Sequence, residues 1–137
     1  ANLYVLNREH VAAESIVALA ELRSATIERM KRSVARWRIE PVGVYLFGSA
    51  ARGDGAVDSD IDVLVVRHVR VDEDAWTRQT MDFAQKVTAW TGNQCEILEY
   101  TKAELSNLVR RKDRLVRSFA RDSIALAGPK FGDLVHI

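Results

Sequence analysis

Asp60 and Asp62 stand one residue apart at the head of an apolar run, Ile61 to Val66. A short run rich in valine and isoleucine, bounded by Gly, Asp and Ser, predicts a buried strand. Side chains two apart on a strand share a face, with Cα atoms about 6.5 Å apart, so the two carboxylates converge on one spot. Ile61, Val63 and Val65 then face a core, while Leu64 and Val66 continue the acids' own face. Two acids opening an apolar face are costly unless a cation or hydrogen-bond donors compensate them. A hard divalent ion such as Mg2+ fits, because it takes carboxylate oxygens and keeps waters and substrate phosphates as its other ligands.

A second constellation lies just upstream. The apolar run Val42 to Phe47 predicts another buried strand, and it ends in Gly48-Ser49 followed by Ala50-Ala51-Arg52, a turn with helical propensity. Glycine lets backbone approach a ligand closely, serine adds a hydroxyl, and a helix start presents free N–H groups to an anion. Arg52 is placed either to neutralise triphosphate charge or to make a structural salt bridge. A phosphate cradle beside a metal site predicts binding of a metal–nucleoside triphosphate.

The Gly48-Ser49 pair, ten intervening residues, and Asp60-x-Asp62 opening an apolar strand resemble the signature of the DNA polymerase beta-like nucleotidyltransferase superfamily. The chain looks most like its minimal nucleotidyltransferases, some of which are antitoxins that adenylylate a partner toxin. The resemblance implies an α/β (α+β) fold, a small mixed β-sheet flanked by helices. It also implies a Mg2+-dependent transfer, with Mn2+ as a substitute, of a nucleotidyl group from an NTP, first of all ATP, to a hydroxyl acceptor. Asp60 and Asp62 would be catalytic metal ligands, and Gly48, Ser49 and Arg52 would bind the nucleotide. The acceptor expected first is a hydroxyl on a partner protein, then an aminoglycoside-type small molecule, then an RNA end. A rival reading is a nucleotide-sensing module of a DNA-binding regulator that binds without turnover.

The family completes its metal site with a third acid flanked by apolar residues on a strand. A strand predicted over 94–100 carries two that match, Glu96 between Cys95 and Ile97, and Glu99 between Leu98 and Tyr100. Three apart, they face opposite sides, so only one can join Asp60 and Asp62. Glu96 is the expected catalytic and metal-binding partner because it lies earlier in the strand; the family more often has aspartate there.

The elements that must position these groups follow from periodicity. Helix is expected over 8–38, in one or two pieces, with Ile16, Leu19, Leu22, Ile27, Met30, Val34 and Trp37 as its buried stripe. Its basic residues, Arg29, Lys31, Arg32, Arg36 and Arg38, read as a solvated face ahead of a nucleic-acid contact, because no aromatics interleave on the polar side. His10 reads as a surface or capping residue. Asp72-Glu73-Asp74 open a further helix with Trp76, Phe83, Val87 and Trp90 inward, stopped by Gly92-Asn93. Thr101 and Glu104 form a capping box for the next helix, which buries Leu105, Leu108 and Val109. A segment over 112–120 packs Leu115, Val116 and Phe119, Ile124 to Ala127 adds a short strand, and Gly128-Pro129 turns the chain. The basic excess over 102–121 (Lys102, Arg110, Arg111, Lys112, Arg114, Arg117 and Arg121) reads as a solvated face.

At 137 residues the sequence predicts one nucleotidyltransferase domain over 1–137, large enough to bury a core unaided. A net charge of +1 makes no global case for nucleic acid, and 47% apolar with 28% charged residues is ordinary globular composition. The single cysteine, Cys95, permits no internal disulfide and suits a reducing cytoplasm. No run reaches membrane-spanning length and no signal peptide is visible, so no membrane partner is expected. Residues 1–7 read as extended, with Leu3-Tyr4-Val5-Leu6 strand-like and Asn7 as a helix cap. They are either an edge strand of this domain or the tail of a preceding winged-helix domain, since Ala1 to His10 resembles the segment after such a domain in some nucleotidyltransferases. DNA contact is expected only through that preceding domain.

Overall fold

The structure, a computed structural model, describes residues 3–55 and 58–137. Ala56 and Val57 in the loop between the two motifs, and Ala1 and Asn2 of the expected N-terminal extended segment, lie outside the described residues.

The elements in chain order are α1 (Ala13–Val34), β1 (Gly43–Phe47), α2 (Gly48–Arg52), β2 (Ile61–Arg67), α3 (Glu73–Thr91), β3 (Cys95–Thr101), α4 (Lys102–Arg110), α5 (Arg114–Asp122), β4 (Ile124–Ala127) and α6 (Phe131–Val135). The strands form one mixed sheet in the order β3-β2-β1-β4. β1 is antiparallel to both β2 and β4, whereas β2 and β3 run parallel. A parallel pair needs a crossover, and α3 supplies it.

Alternation along the strands divides the core in two. Val44, Leu46, Ile61, Val63 and Val65 face one side with Ile27, Met30 and Val34 of α1 and Trp76, Phe83 and Val87 of α3. Tyr45, Leu64 and Val66 face the other with Leu105, Val116, Phe119 and the α6 residues Phe131, Leu134 and Val135. The sheet is thus sandwiched between helices, which explains why its central strands read as continuous apolar runs.

The local punctuation acts as its chemistry dictates. The Asp72 side chain accepts from the Ala75 N–H at 3.0 Å and opens α3, and Gly92 closes it in the left-handed conformation. Thr101 and Glu104 form the full capping box of α4. Asp113 caps α5 by accepting from the Leu115 N–H at 2.9 Å.

Four expectations need correction. Helix runs over Ala13–Val34, not 8–38: Asn7 and His10 accept from the backbone N–H groups of Glu9 and Ala12 and hold the chain in turns first. At the other end the Arg36 and Trp37 N–H groups bond three residues back, to Ser33 and Val34, so the chain turns off before Trp37. Leu3-Tyr4-Val5-Leu6 pairs with no strand, and Leu3 is 95% exposed. Ile16, Leu19 and Leu22, expected to be buried, are 47%, 67% and 57% exposed. The reason is length: 22 helical residues span about 33 Å, but the longest strands, of 7 residues, span only about 23 Å, so the first half of α1 overhangs the sheet. Leu115 is likewise exposed, leaving Val116 and Phe119 to pack α5.

Candidate active site

Asp62 sits on the second residue of β2, directly across the antiparallel ladder from Phe47 and across the parallel ladder from Glu96. Residues in register on neighbouring strands share a face, so Glu96 projects beside Asp62 about one strand spacing away, about 4.8 Å. Asp60, two residues before Asp62, precedes the strand and is exposed. Three carboxylates therefore gather at one end of the sheet. Among the described residues no three acidic, histidine or cysteine side chains close into a ready-made metal cage. That is compatible with a Mg2+ site, which leaves coordination positions to water and substrate phosphates.

The electrostatics agree with this crowding. The Asp62 carboxyl is raised above the usual carboxylate range, first by burial and then by the charges of Asp60 and Glu96. Burial, and secondarily the charges of Glu96 and Asp62, pushes the neighbouring Cys95 thiol up to about 12. The cluster repels itself, and among the described residues Asp62 makes no side-chain hydrogen bond that would offset the repulsion.

Glu99 belongs to the opposite face. It accepts from Trp76 Nε1 at 3.0 Å and pairs with Arg67 at 2.7 Å, so it anchors α3 to the sheet. The register therefore brings Glu96, and not Glu99, to the side of Asp62.

Gly48 closes the site from the β1 side. Its φ is +69°, and a Cβ there would lie 2.7 Å from Asp62 Oδ2, so the backbone at Gly48 approaches the carboxylate as only glycine allows. Ser49 follows at the start of α2, whose first turn has no side-chain cap. The loop then folds back: a Cβ at Gly55 would lie 2.8 Å from Ser49 Oγ. Arg52 pairs with Asp54 at 3.1 Å and Asp122 at 3.6 Å, which ties α2 to the end of α5.

Beside Ser49 and Asp60 lies a cavity of about 390 Å3, within the range of small-ligand sites. Its other walls come from Arg23, Ile27 and Met30 of α1 and from Trp90 and Asn93. Asp62 and Glu96 do not line it, so Asp60 stands where the cavity meets the acid cluster. Arg23 donates to the carbonyls of Ala50 and Ala51 and secures the end of α2 against α1. Nothing local in the sequence marks Arg23, Trp90 or Asn93, since only the fold brings them to Ser49.

A family profile described as "Nucleotidyltransferase domain" matches residues 27–123. The chain belongs to the nucleotidyltransferase domain family. This makes it a transferase, and the matched span contains Gly48, Ser49, Arg52, Asp60, Asp62 and Glu96. No curated protein sequence matches the chain.

Solved structures share the nucleotidyltransferase fold. A crystal structure of a toxin–antitoxin with AMP-PNP is 19% identical with a TM-score of 0.52, covering 80% of this chain and 81% of that one. A mutant of the toxin–antitoxin MntA-HpeT is 16% identical with a TM-score of 0.54, again covering 80% and 81%. A tri-AMPylated Shewanella oneidensis HEPN toxin in complex with MNT antitoxin is 15% identical with a TM-score of 0.50, covering 82% of this chain and 80% of that one. At these identities the likeness is one of fold. Among the described residues no helix is long and apolar enough to cross a membrane.

Proposed function

We propose that this nucleotidyltransferase domain moves AMP from ATP to a hydroxyl on a partner protein, with Mg2+ as its metal. The observation that carries the reading is the register of β2 and β3, with Glu96 beside Asp62 and the Gly48 backbone against the Asp62 carboxylate. Asp60, Asp62 and Glu96 would hold the metal, which when bound supplies charge stabilisation for the attacking and leaving oxygens and lowers the pKa of the acceptor hydroxyl. The backbone at Gly48 and the Ser49 hydroxyl would grip the terminal phosphates, and the cavity beside Ser49 would take the nucleoside. The acceptor oxygen attacks the α-phosphorus, the bond to the bridging oxygen breaks, and pyrophosphate leaves. Glu96 would receive the acceptor's proton. Arg52 would reach the triphosphate only by releasing one of its two carboxylate partners.

Two observations support a protein acceptor. The exposed Ile16, Leu19 and Leu22 form an apolar stripe on α1 that leads to the cavity, where Leu22 itself is part of the wall. The solved neighbours are complexes with a partner chain. The cytoplasm, where ATP and Mg2+ are supplied, is the compartment this reaction needs.

The test supplies Mg2+, ATP labelled at the α-phosphate, and the protein that co-purifies with the native chain. Label should pass to the partner with release of pyrophosphate. Equal labelling by the Asp60→Ala/Asp62→Ala variant would sink the assignment. ATP binding without pyrophosphate release over a range of acceptors would favour the nucleotide-sensing reading.

A further inference from the structure

A groove of about 580 Å3 runs between α1 and α3, away from the acid cluster. Arg29, Arg32, Arg36 and Arg38 line one wall, and Arg78 and Lys86 the other. The single acid in the lining, Asp82, is taken by Lys86 at 2.7 Å. Among the described residues none of the five arginines is within ion-pair distance of a carboxylate. A chain whose net charge is +1 has thus concentrated five uncompensated guanidinium groups in one concavity. Such a field is unfavourable to the bare fold and draws a polyanion.

Along α1 alone, no aromatic residue stands among these cations on the polar side. Folding adds one: Trp90 of α3 lines the same groove, together with Trp37, which stands between Arg36 and Arg38 in the sequence. Trp37 is spent in the core, meeting Trp76 and Phe83 edge-on at 5.8 and 5.6 Å between centroids. Trp90 is only partly buried, and the Arg29 guanidinium lies over its ring at 4.6 Å. A guanidinium on a free indole face is a partner that a nucleobase can replace or stack upon.

Arginine forks suit phosphate oxygens; Arg29 and Arg32 lie three residues apart on α1, and Arg36 follows in the turn just past its end. The step from Arg29 to Arg32 is about 4.5 Å along the helix axis, and the turn carries the row on to Arg36, suited to tracking an extended anionic backbone. We propose that this groove binds single-stranded nucleic acid, with the arginines on the phosphates and Trp90 under a base. Trp90 also walls the cavity beside Ser49, so the groove adjoins the candidate active site there, but its binding stands whether or not the transfer reading holds.

Fluorescence polarisation with end-labelled oligo(U) and oligo(dT) tests it. Five phosphate contacts on a single strand predict a slope of log affinity against log salt of about −3.5, so binding weakens about 100-fold between about 50 and about 200 mM salt. The Arg32→Glu/Arg36→Glu/Arg78→Glu variant changes exposed side chains only, and its slope should fall to about −1.4. An abasic oligomer of equal charge, which needs no mutation of Trp90, should bind about 5-fold or more weakly than oligo(dT). Asp60→Asn/Asp62→Asn should bind as the wild type does. The proposal is overturned if the triple variant binds unchanged or the abasic strand binds as tightly. It is equally overturned if a polyglutamate peptide of equal charge competes as well as oligo(U), which would make the groove a site for an acidic protein segment. A preference between oligo(U) and oligo(dT) would say whether the 2′-hydroxyl is read.

Discussion

Replacing Asp62 with asparagine keeps its shape and removes its charge, and the acid cluster makes the outcome unusual. Because the folded-state pKa of Asp62 is raised by burial, Asp60 and Glu96, the folded chain binds this proton more readily than the unfolded chain does. Ionised Asp62 therefore detracts from stability above its folded pKa, and the penalty is relieved as pH falls through that value. Strand geometry puts Glu96 about 4.8 Å across and Asp60 about 6.5 Å along the chain. Each repulsion at these distances is about 0.6–0.9 kcal/mol at the dielectric of water, the appropriate limit for a half-open site. Salt trims the pair to about 1 kcal/mol in total. For 137 residues that corresponds to about 3–4 °C in Tm. Asp62→Asn should thus melt higher than the wild type at neutral pH, and the difference should shrink in acid. Mg2+ at about ten times its Kd should stabilise the wild type by about 1.4 kcal/mol and the variant much less. Thermal unfolding by circular dichroism, scanned over pH with and without Mg2+, reads both effects. A variant that melts lower at neutral pH, or gains as much from Mg2+, would refute the reasoning.

The remaining predictions concern the same end of the sheet. Gly48→Ala meets both the positive φ and Asp62 Oδ2 at 2.7 Å, so it should cost about 1–3 kcal/mol and displace the carboxylate, visible as lowered Tm together with lost transfer. Glu96→Gln and Glu99→Gln should behave oppositely. The first should abolish transfer with little loss of stability; the second should spare transfer but lower stability by about 0.5–1 kcal/mol as Arg67 loses one of its two charged partners and keeps Glu73. Transfer lost only in Glu99→Gln would reverse the assignment. Cys95, buried with its thiol pushed up to about 12, should resist iodoacetamide in the native protein at about pH 8 and react once unfolded. Rapid native labelling would contradict the packing of β3.

What could be read from the sequence was local. The capping box at Thr101 and Glu104, the Asp72 cap, the Gly92 stop and the two apolar strands each depend on residues a few positions apart, and all lie where the pattern puts them. The choice between Glu96 and Glu99 needed only strand parity, once β2 and β3 were known to pair in parallel register. The stripe on α1 misled because periodicity reports that a face is apolar, not that the sheet is long enough to cover it. Leu3 to Leu6 misled for the same reason, having strand composition and no strand pairing. Arg23 and Trp90, on separate helices, meet Ser49 at the cavity only in three dimensions, as do the two walls of the basic groove. Five residues of α6 were too short a segment to show a period.

The central claim is that Asp60 and Asp62 hold a metal–nucleotide against the Gly48-Ser49 turn. Calorimetric titration of ATP, GTP, CTP and UTP into the wild type and the Asp60→Ala/Asp62→Ala variant, with and without Mg2+, tests it most directly. The account predicts Mg2+-dependent binding, strongest for ATP, that disappears in the variant. Nucleotide binding that survives the loss of both aspartates, or binding indifferent to Mg2+, would contradict it.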